Sequence, residues 1–136
     1  MTVSGTHERR IVIRWRDIDA YQHVNNAVYL TYLEECRDAW VREVMGPDFD
    51  FVIVRVAIDY REELSLADAE VVVTCVGTGY GTSSIRTRER ISKRDGAVSA
   101  EAESVIVAHD SEARRARRLT AAERSTLDGS TLDDGS

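Results

Sequence analysis

Apolar and polar positions alternate with a period of two near the start of the chain. Ile11, Ile13 and Trp15 fall on one face, and Arg10, Val12 and Arg14 on the other. That alternation predicts a strand over residues 9–15. From Ala27 the spacing changes: Tyr29, Leu33, Cys36, Trp40 and Val44 step by four, three, four and four, as on one face of a helix. Gly46 and Pro47 stop the stripe, so one long helix is predicted over residues 27–45. Beyond it the period returns to two. Val52, Val54, Val56, Ile58 and Tyr60 alternate with Ile53, Arg55, Ala57 and Asp59, predicting a half-buried strand. Residues 61–68 read as a polar connection, and 69–78 as a strand around Val71, Val72 and Val73. Gly77, Gly79 and Gly81 read as turn and bulge residues; they lack the spacing of a dinucleotide-binding loop, and a strand pattern follows them. Strands over 82–93 and 98–109 flank Asp95 and Gly96, a strong hairpin pair. A short helix is predicted over 120–127, and residues 1–7 and 128–136 read as disordered tails.

The order is therefore strand, long helix, then four antiparallel strands, in one domain over residues 8–127. A helix apolar on much of its circumference needs a sheet wrapped around it, which predicts an α+β fold with one long central helix. Composition narrows the setting. A chain of 136 residues fits one domain but is small for a self-contained deep pocket, so a homo-oligomer is expected. A net charge of −6 and a pI near 5.1 argue against general nucleic-acid binding. Nothing near 18 consecutive apolar residues occurs, nor does a signal-peptide pattern after Met1, so neither a membrane partner nor export is expected. Cys36 and Cys75 lack metal or redox spacing and read as buried thiols, which points to the cytoplasm.

The chemistry concentrates in residues 15–35, WRDIDAYQHVNNAVYLTYLEE, just ahead of the predicted helix. Asp17 and Asp19 stand two apart and face the same way if that segment is extended. His23 follows, and Asn25 and Asn26 are candidate N-caps. Free backbone N–H groups at a helix start would lie beside these side chains. Asp17 is expected to shape the loop through side-chain to backbone bonds. Tyr29 reads as core with a share in the site. Arg86, Arg88 and Arg90 form a basic row on one strand face, either a solvated surface or a contact for a phosphate-bearing ligand.

The segments DIDAYQHVNNAVYLTYLEECR, VAIDYREEL, TSSIRTRERI and DGAVSAEAESVIVAHD, in this order, resemble the 4-hydroxybenzoyl-CoA thioesterase-like hotdog-fold family over roughly residues 8–127. The resemblance implies a hotdog fold, a homodimer or dimer of dimers, and hydrolysis of an acyl-CoA thioester without metal or organic cofactor. The carrier is CoA or an acyl-carrier protein. The family's catalytic aspartate corresponds to Asp19, acting as nucleophile or as general base for water. The oxyanion donor corresponds to the backbone N–H of Asn26, a position where the family's aromatic-acyl enzymes have an aromatic residue instead. His23 either orients substrate or water, or ties the loop to the helix; Asn25 reads as a cap or a substrate contact. Glu35 occupies a depth on the helix used by another hotdog branch, with Glu34 beside it. Ser83 and Ser84 would line the acyl pocket across the dimer interface, with Arg88 and Arg90 toward the carrier phosphates. Two other readings stay open: a non-catalytic acyl-CoA-binding hotdog protein, and a hydratase or dehydratase, whose motif proline is missing here.

Overall fold

The computed structural model describes residues 5–130. Its elements in chain order are β1 (His7–Val12), α1 (Asn26–Met45), β2 (Phe51–Tyr60), β3 (Glu70–Tyr80), β4 (Ser84–Lys93), β5 (Val98–Asp110), β6 (Arg115–Ala116) and α2 (Ala121–Asp128). The strands form one antiparallel sheet in the order β1-β3-β4-β5-β2, with β6 paired to the end of β5. The sheet curls, and α1 lies on its inner face, chiefly against β1, β3 and β4.

The helical stripe behaves as its spacing predicts: Tyr29, Leu33, Cys36 and Trp40 are buried, joined by Tyr32 and Val41. They meet Val71, Val73, Cys75, Ile85, Ile91 and Ile106 from the sheet. Each such side chain contributes about 1.5–3 kcal/mol on burial. Leu30, Thr31, Glu34 and Glu35 face outward and are exposed, so within one chain the sheet covers a single side of α1. Gly46 closes the helix at φ +94°, a left-handed conformation suited to glycine, and its N–H caps Arg42 O at 3.1 Å.

The expected β4–β5 hairpin forms around Asp95 and Gly96, with Gly96 at φ +93°. Gly77 and Gly79 sit at a bulge inside β3, which runs two residues further than expected, and Gly81 begins the turn. The helix predicted over 120–127 is α2, opened by a Thr120–Glu123 capping box.

Three expectations need correction. The first strand starts at His7 and stops at Val12, because residues 15–17 coil into a 3₁₀ turn that leaves Trp15 81% exposed. The strand β2 is not half-buried: it is a sheet edge paired only to β5, with Val52, Ile53 and Val54 exposed. The disorder expected at residues 5–7 does not hold, since Gly5 O accepts a hydrogen bond from Trp40 Nε1 at 2.6 Å and His7 opens β1; residues 1–4 and 131–136 lie outside the described residues.

One core feature was not foreseen. On β4, Ile85, Thr87, Glu89 and Ile91 point inward while Arg86, Arg88 and Arg90 point out. The buried Glu89 carboxylate accepts from Arg37 Nε at 2.9 Å, Thr87 Oγ1 at 3.1 Å and Ser104 Oγ at 3.1 Å. Such a pair locks the register of helix on sheet only because its lone pairs are filled.

Candidate active site

Upstream of α1 the chain folds back on itself. Asp17 closes the 3₁₀ turn with its carboxylate buried, accepting from Arg14 N at 2.9 Å and Tyr32 Oη at 2.7 Å. Burial pushes the Asp17 pKa up, but the bonds from the Arg14 backbone, Tyr32 and the Arg14 side chain outweigh it and hold it below the ordinary 3.8. The Asp17 carbonyl then accepts from Asn25 N at 2.9 Å, which fixes where the helix starts. The expectation that Asp17 shapes the loop holds. The expectation that Asp17 and Asp19 share a face does not, because the 3₁₀ turn replaces the extended segment.

Residues 18–24 form a tight loop closed by an Ile18–Val24 bridge. Asp19 N donates to His23 O at 2.8 Å, and Gln22 takes φ +70° to let the chain turn. Asp19 is half-buried. Its Oδ1 accepts from Tyr21 N at 2.9 Å and His23 N at 3.3 Å, leaving Oδ2 without a protein donor among the described residues. Asn25 is the N-cap, its Oδ1 accepting from Ala27 N at 2.8 Å. Asn26 is the first helical residue, and its N–H has no protein acceptor among the described residues.

These groups line a cleft of about 520 Å³ between the start of α1 and the end of β2, closed on the far side by Tyr60, Arg61, Glu62 and Glu63. Tyr29 forms its floor: the phenol accepts from Leu64 N at 3.1 Å, and its ring meets Tyr60 edge-on at 5.0 Å. Tyr60 Oη donates to Asn26 O at 3.1 Å, pinning the first turn of the helix to the strand. His23 reaches across to Glu63, Nε2 to Oε2 at 2.8 Å, rather than to Asp19.

Asp19, His23, Asn25, Asn26 and Tyr29 are thus brought together. Ser83 and Ser84 are not: they lie just before and at the start of β4, about 26 Å along the sheet from Ser99, the β5 residue behind the cleft. Arg88 and Arg90 line a depression of about 550 Å³ on the outer sheet face, with Asp59, Glu101 and Glu103. That hollow is slightly larger, but it is walled by exposed charges with cross-strand partners, as Arg90 Nη2 to Glu101 Oε1 at 3.1 Å, and no helix terminus opens into it. Glu34 and Glu35 are exposed and do not line the cleft. Tyr60, Arg61 and Glu63 were not singled out from sequence; their nearness to the motif is made by a turn more than thirty residues later.

The buried thiols offer no competing nucleophile. Burial, then the Glu89 carboxylate, pushes Cys36 up to about 12, and Cys36 Sγ donates to Val73 O at 3.3 Å.

A curled antiparallel sheet carrying one long helix fits the hotdog fold, and the chain belongs to the thioesterase-like superfamily, whose family model matches residues 13–126. Among individual proteins it is similar to the long-chain acyl-CoA thioesterase FadM of Escherichia coli (strain K12), 29% identical over 127 residues that cover 89% of this chain and 96% of that one. A thioesterase from Thermus thermophilus, solved in complex with coenzyme A and Zn, superposes with a TM-score of 0.82 at 30% identity, covering 93% of this chain and 94% of that chain. A predicted thioesterase from Bacillus stearothermophilus shares the fold, with a TM-score of 0.84 at 23% identity, covering 96% of this chain and 99% of that chain.

Proposed function

We propose that this chain hydrolyses acyl-CoA thioesters to the free acid and CoA, with Asp19 carrying the reaction. One observation supports this reading above the rest. Among the described residues, an Asp19 oxygen without a protein donor and an Asn26 N–H without an acceptor border the same cleft, at the positive end of a 20-residue helix. A thioester carbonyl directed at Asn26 N–H has its developing oxyanion stabilised there. Asp19 then acts in one of two ways. As nucleophile it forms a mixed anhydride, expelling the CoA thiolate, and water cleaves the anhydride. As general base it takes a proton from water as the water adds to the carbonyl, and the thiolate leaves with a proton. Either route ends in a carboxylic acid and a thiol. His23, tied to Glu63, orients substrate or water, and Asn25 fixes the helix start.

The finer parts of the reading are these. The enzyme is cytoplasmic and works as a homodimer or dimer of dimers, which completes the enclosure of the central helix. The ten-residue edge strand β2 with its exposed Val52, Ile53 and Val54 supports a second copy there. Antiparallel pairing of two such edges sets the Phe51 end of one copy beside the Tyr60 end of the other. Ser83 and Ser84 of one copy then approach the acyl group in the other, while Arg88 and Arg90 lie toward the carrier. The test is thiol release from short, medium, long, branched and aromatic acyl-CoAs, with Asp19→Asn beside the wild type. Turnover that collapses in a folded Asp19→Asn protein supports the assignment. Turnover that survives moves the chemistry to His23 or Glu35. CoA esters retained without thiol release would replace it with a binding module.

A further inference from the structure

The cleft is acidic, yet its proposed substrate is a polyanion. Asp19, Glu62 and Glu63 all line it, and Arg61 is the single lysine or arginine among its lining residues. The 3′-phosphate and diphosphate of CoA therefore need a cation to meet them. We infer that Arg61 grips a phosphate of the CoA carrier at the cleft mouth, held in position by Glu101. The inference rests on the acyl-CoA reading above and names the residue that distinguishes the carrier.

The geometry of Arg61 is built rather than incidental. Its backbone is clamped at the end of β2, with Arg61 N donating to Ser99 O at 2.7 Å and Glu62 N to the same oxygen at 3.1 Å. Asp59 pairs with Glu101 and Arg90 with Glu101 in register, so Arg61, two residues beyond Asp59, continues the same outer face of the sheet. Its guanidinium meets Glu101 Oε2 through Nη2 at 3.3 Å, and Glu101 Oε1 meets Arg90 Nη2 at 3.1 Å. One carboxylate thus orients two guanidinium forks. Each fork keeps further N–H donors, and a phosphate accepts such donors in bidentate fashion. Arg61 lines the cleft, and its guanidinium reaches Glu101 of the outer-face depression. An acyl-pantetheine arm reaching in toward Asp19 leaves its phosphates on the Arg61 side of the cleft, where the guanidinium N–H groups not used by Glu101 meet them.

The experiment compares acyl-CoA with the same acyl group on N-acetylcysteamine, a thioester without phosphate. Arg61→Gln is expected to raise the ratio of the two KM values at least about tenfold, the size of a lost charge-assisted contact, with kcat changed far less. Arg61→Lys, which keeps the charge without the fork, is expected to recover part of that ratio. An equal change on both substrates would overturn the inference and leave Arg61 as a structural ion pair. Calorimetric titration with free CoA and with pantetheine separates this from the hydrolysis reading. Wild type that binds CoA but releases no thiol sinks hydrolysis alone. Wild type and a folded Arg61→Gln protein binding CoA equally sink the phosphate contact alone.

Discussion

Asp17 and Asp19 are two residues apart and chemically identical, yet the fold treats them oppositely. Asp17 is 2% exposed, with its carboxylate bonded to Arg14 and Tyr32. Asp19 stands at the cleft wall with one oxygen committed to its own loop and the other open. The first carboxylate is consumed in holding the second. Asp17 fixes Asn25 and through it the start of α1, so the Asn26 N–H and Asp19 keep their relation across the cleft. A reacting group needs a free lone pair, and a scaffold group needs none; saturation of hydrogen bonds separates the two roles more sharply than residue type.

The largest effect that breaks this comparison is on rate. Asp19→Asn is expected to lower kcat/KM by about 10²–10⁴-fold, the usual contribution of a positioned acid or base, with an unchanged circular dichroism spectrum. Asparagine keeps the Oδ1 acceptor for Tyr21 N and His23 N, so the loop survives while the reactive oxygen is lost.

Next comes stability. Asp17→Ala strands the Tyr32 hydroxyl and the Arg14 N–H and is expected to cost about 3 kcal/mol in urea unfolding. Its activity falls chiefly through misplacement of the helix start. Were Asp17→Ala as stable as wild type but inactive, the division of labour between the two carboxylates would be reversed.

The same contrast has a pH signature. The folded Asp17 pKa lies below 3.8, so its stabilisation is fully present above that value and is lost as pH falls through the lower folded value. Glu123 behaves alike: the Arg117 side chain, opposed by burial, brings it from 4.5 to about 2. Unfolding free energy is therefore expected to drop below about pH 4 in the wild type. Asp17→Asn and Glu123→Gln should each flatten that drop, which denaturant titrations at neutral pH and at about pH 3 would read.

Much of the frame was legible because periodicity reports it directly. The Tyr29–Leu33–Cys36–Trp40 stripe, the Asp95-Gly96 hairpin and the short helix over 120–127 each depend on neighbours within a few positions. What escaped depends on partners far along the chain. Alternation in β2 reads the same for an edge strand as for a covered one, since nothing local says which side lacks a neighbour. The Ile11, Ile13 and Trp15 alternation ran past the true end of β1, because a 3₁₀ turn keeps Ile13 buried while releasing Trp15. Nothing near Arg37 or Glu89 in the chain marks them as partners, since their pairing forms only where helix and sheet meet. Within the site, the cluster of residues 17–26 was visible as a unit. Which aspartate is buried, and that Glu63 answers His23, was set by Tyr32 and by the turn after β2.

The His23–Glu63 pairing predicts a smaller change than either aspartate does. His23 and Glu63 are exposed, with side-chain exposures of 43% and 70%, so their 2.8 Å contact is worth little as a stabilising ion pair. If its value lies in aiming the imidazole across the cleft, Glu63→Gln should leave the unfolding midpoint in place. It should also lower kcat/KM by up to about fivefold, the range of an exposed pair. His23→Ala should lower it at least as far, and the double variant no further than His23→Ala alone, since Glu63 then has nothing to aim. Additive losses would mean that Glu63 acts on substrate independently of His23. Unchanged kinetics in both single variants would put the pair with Asp17, on the side of the loop that holds rather than reacts.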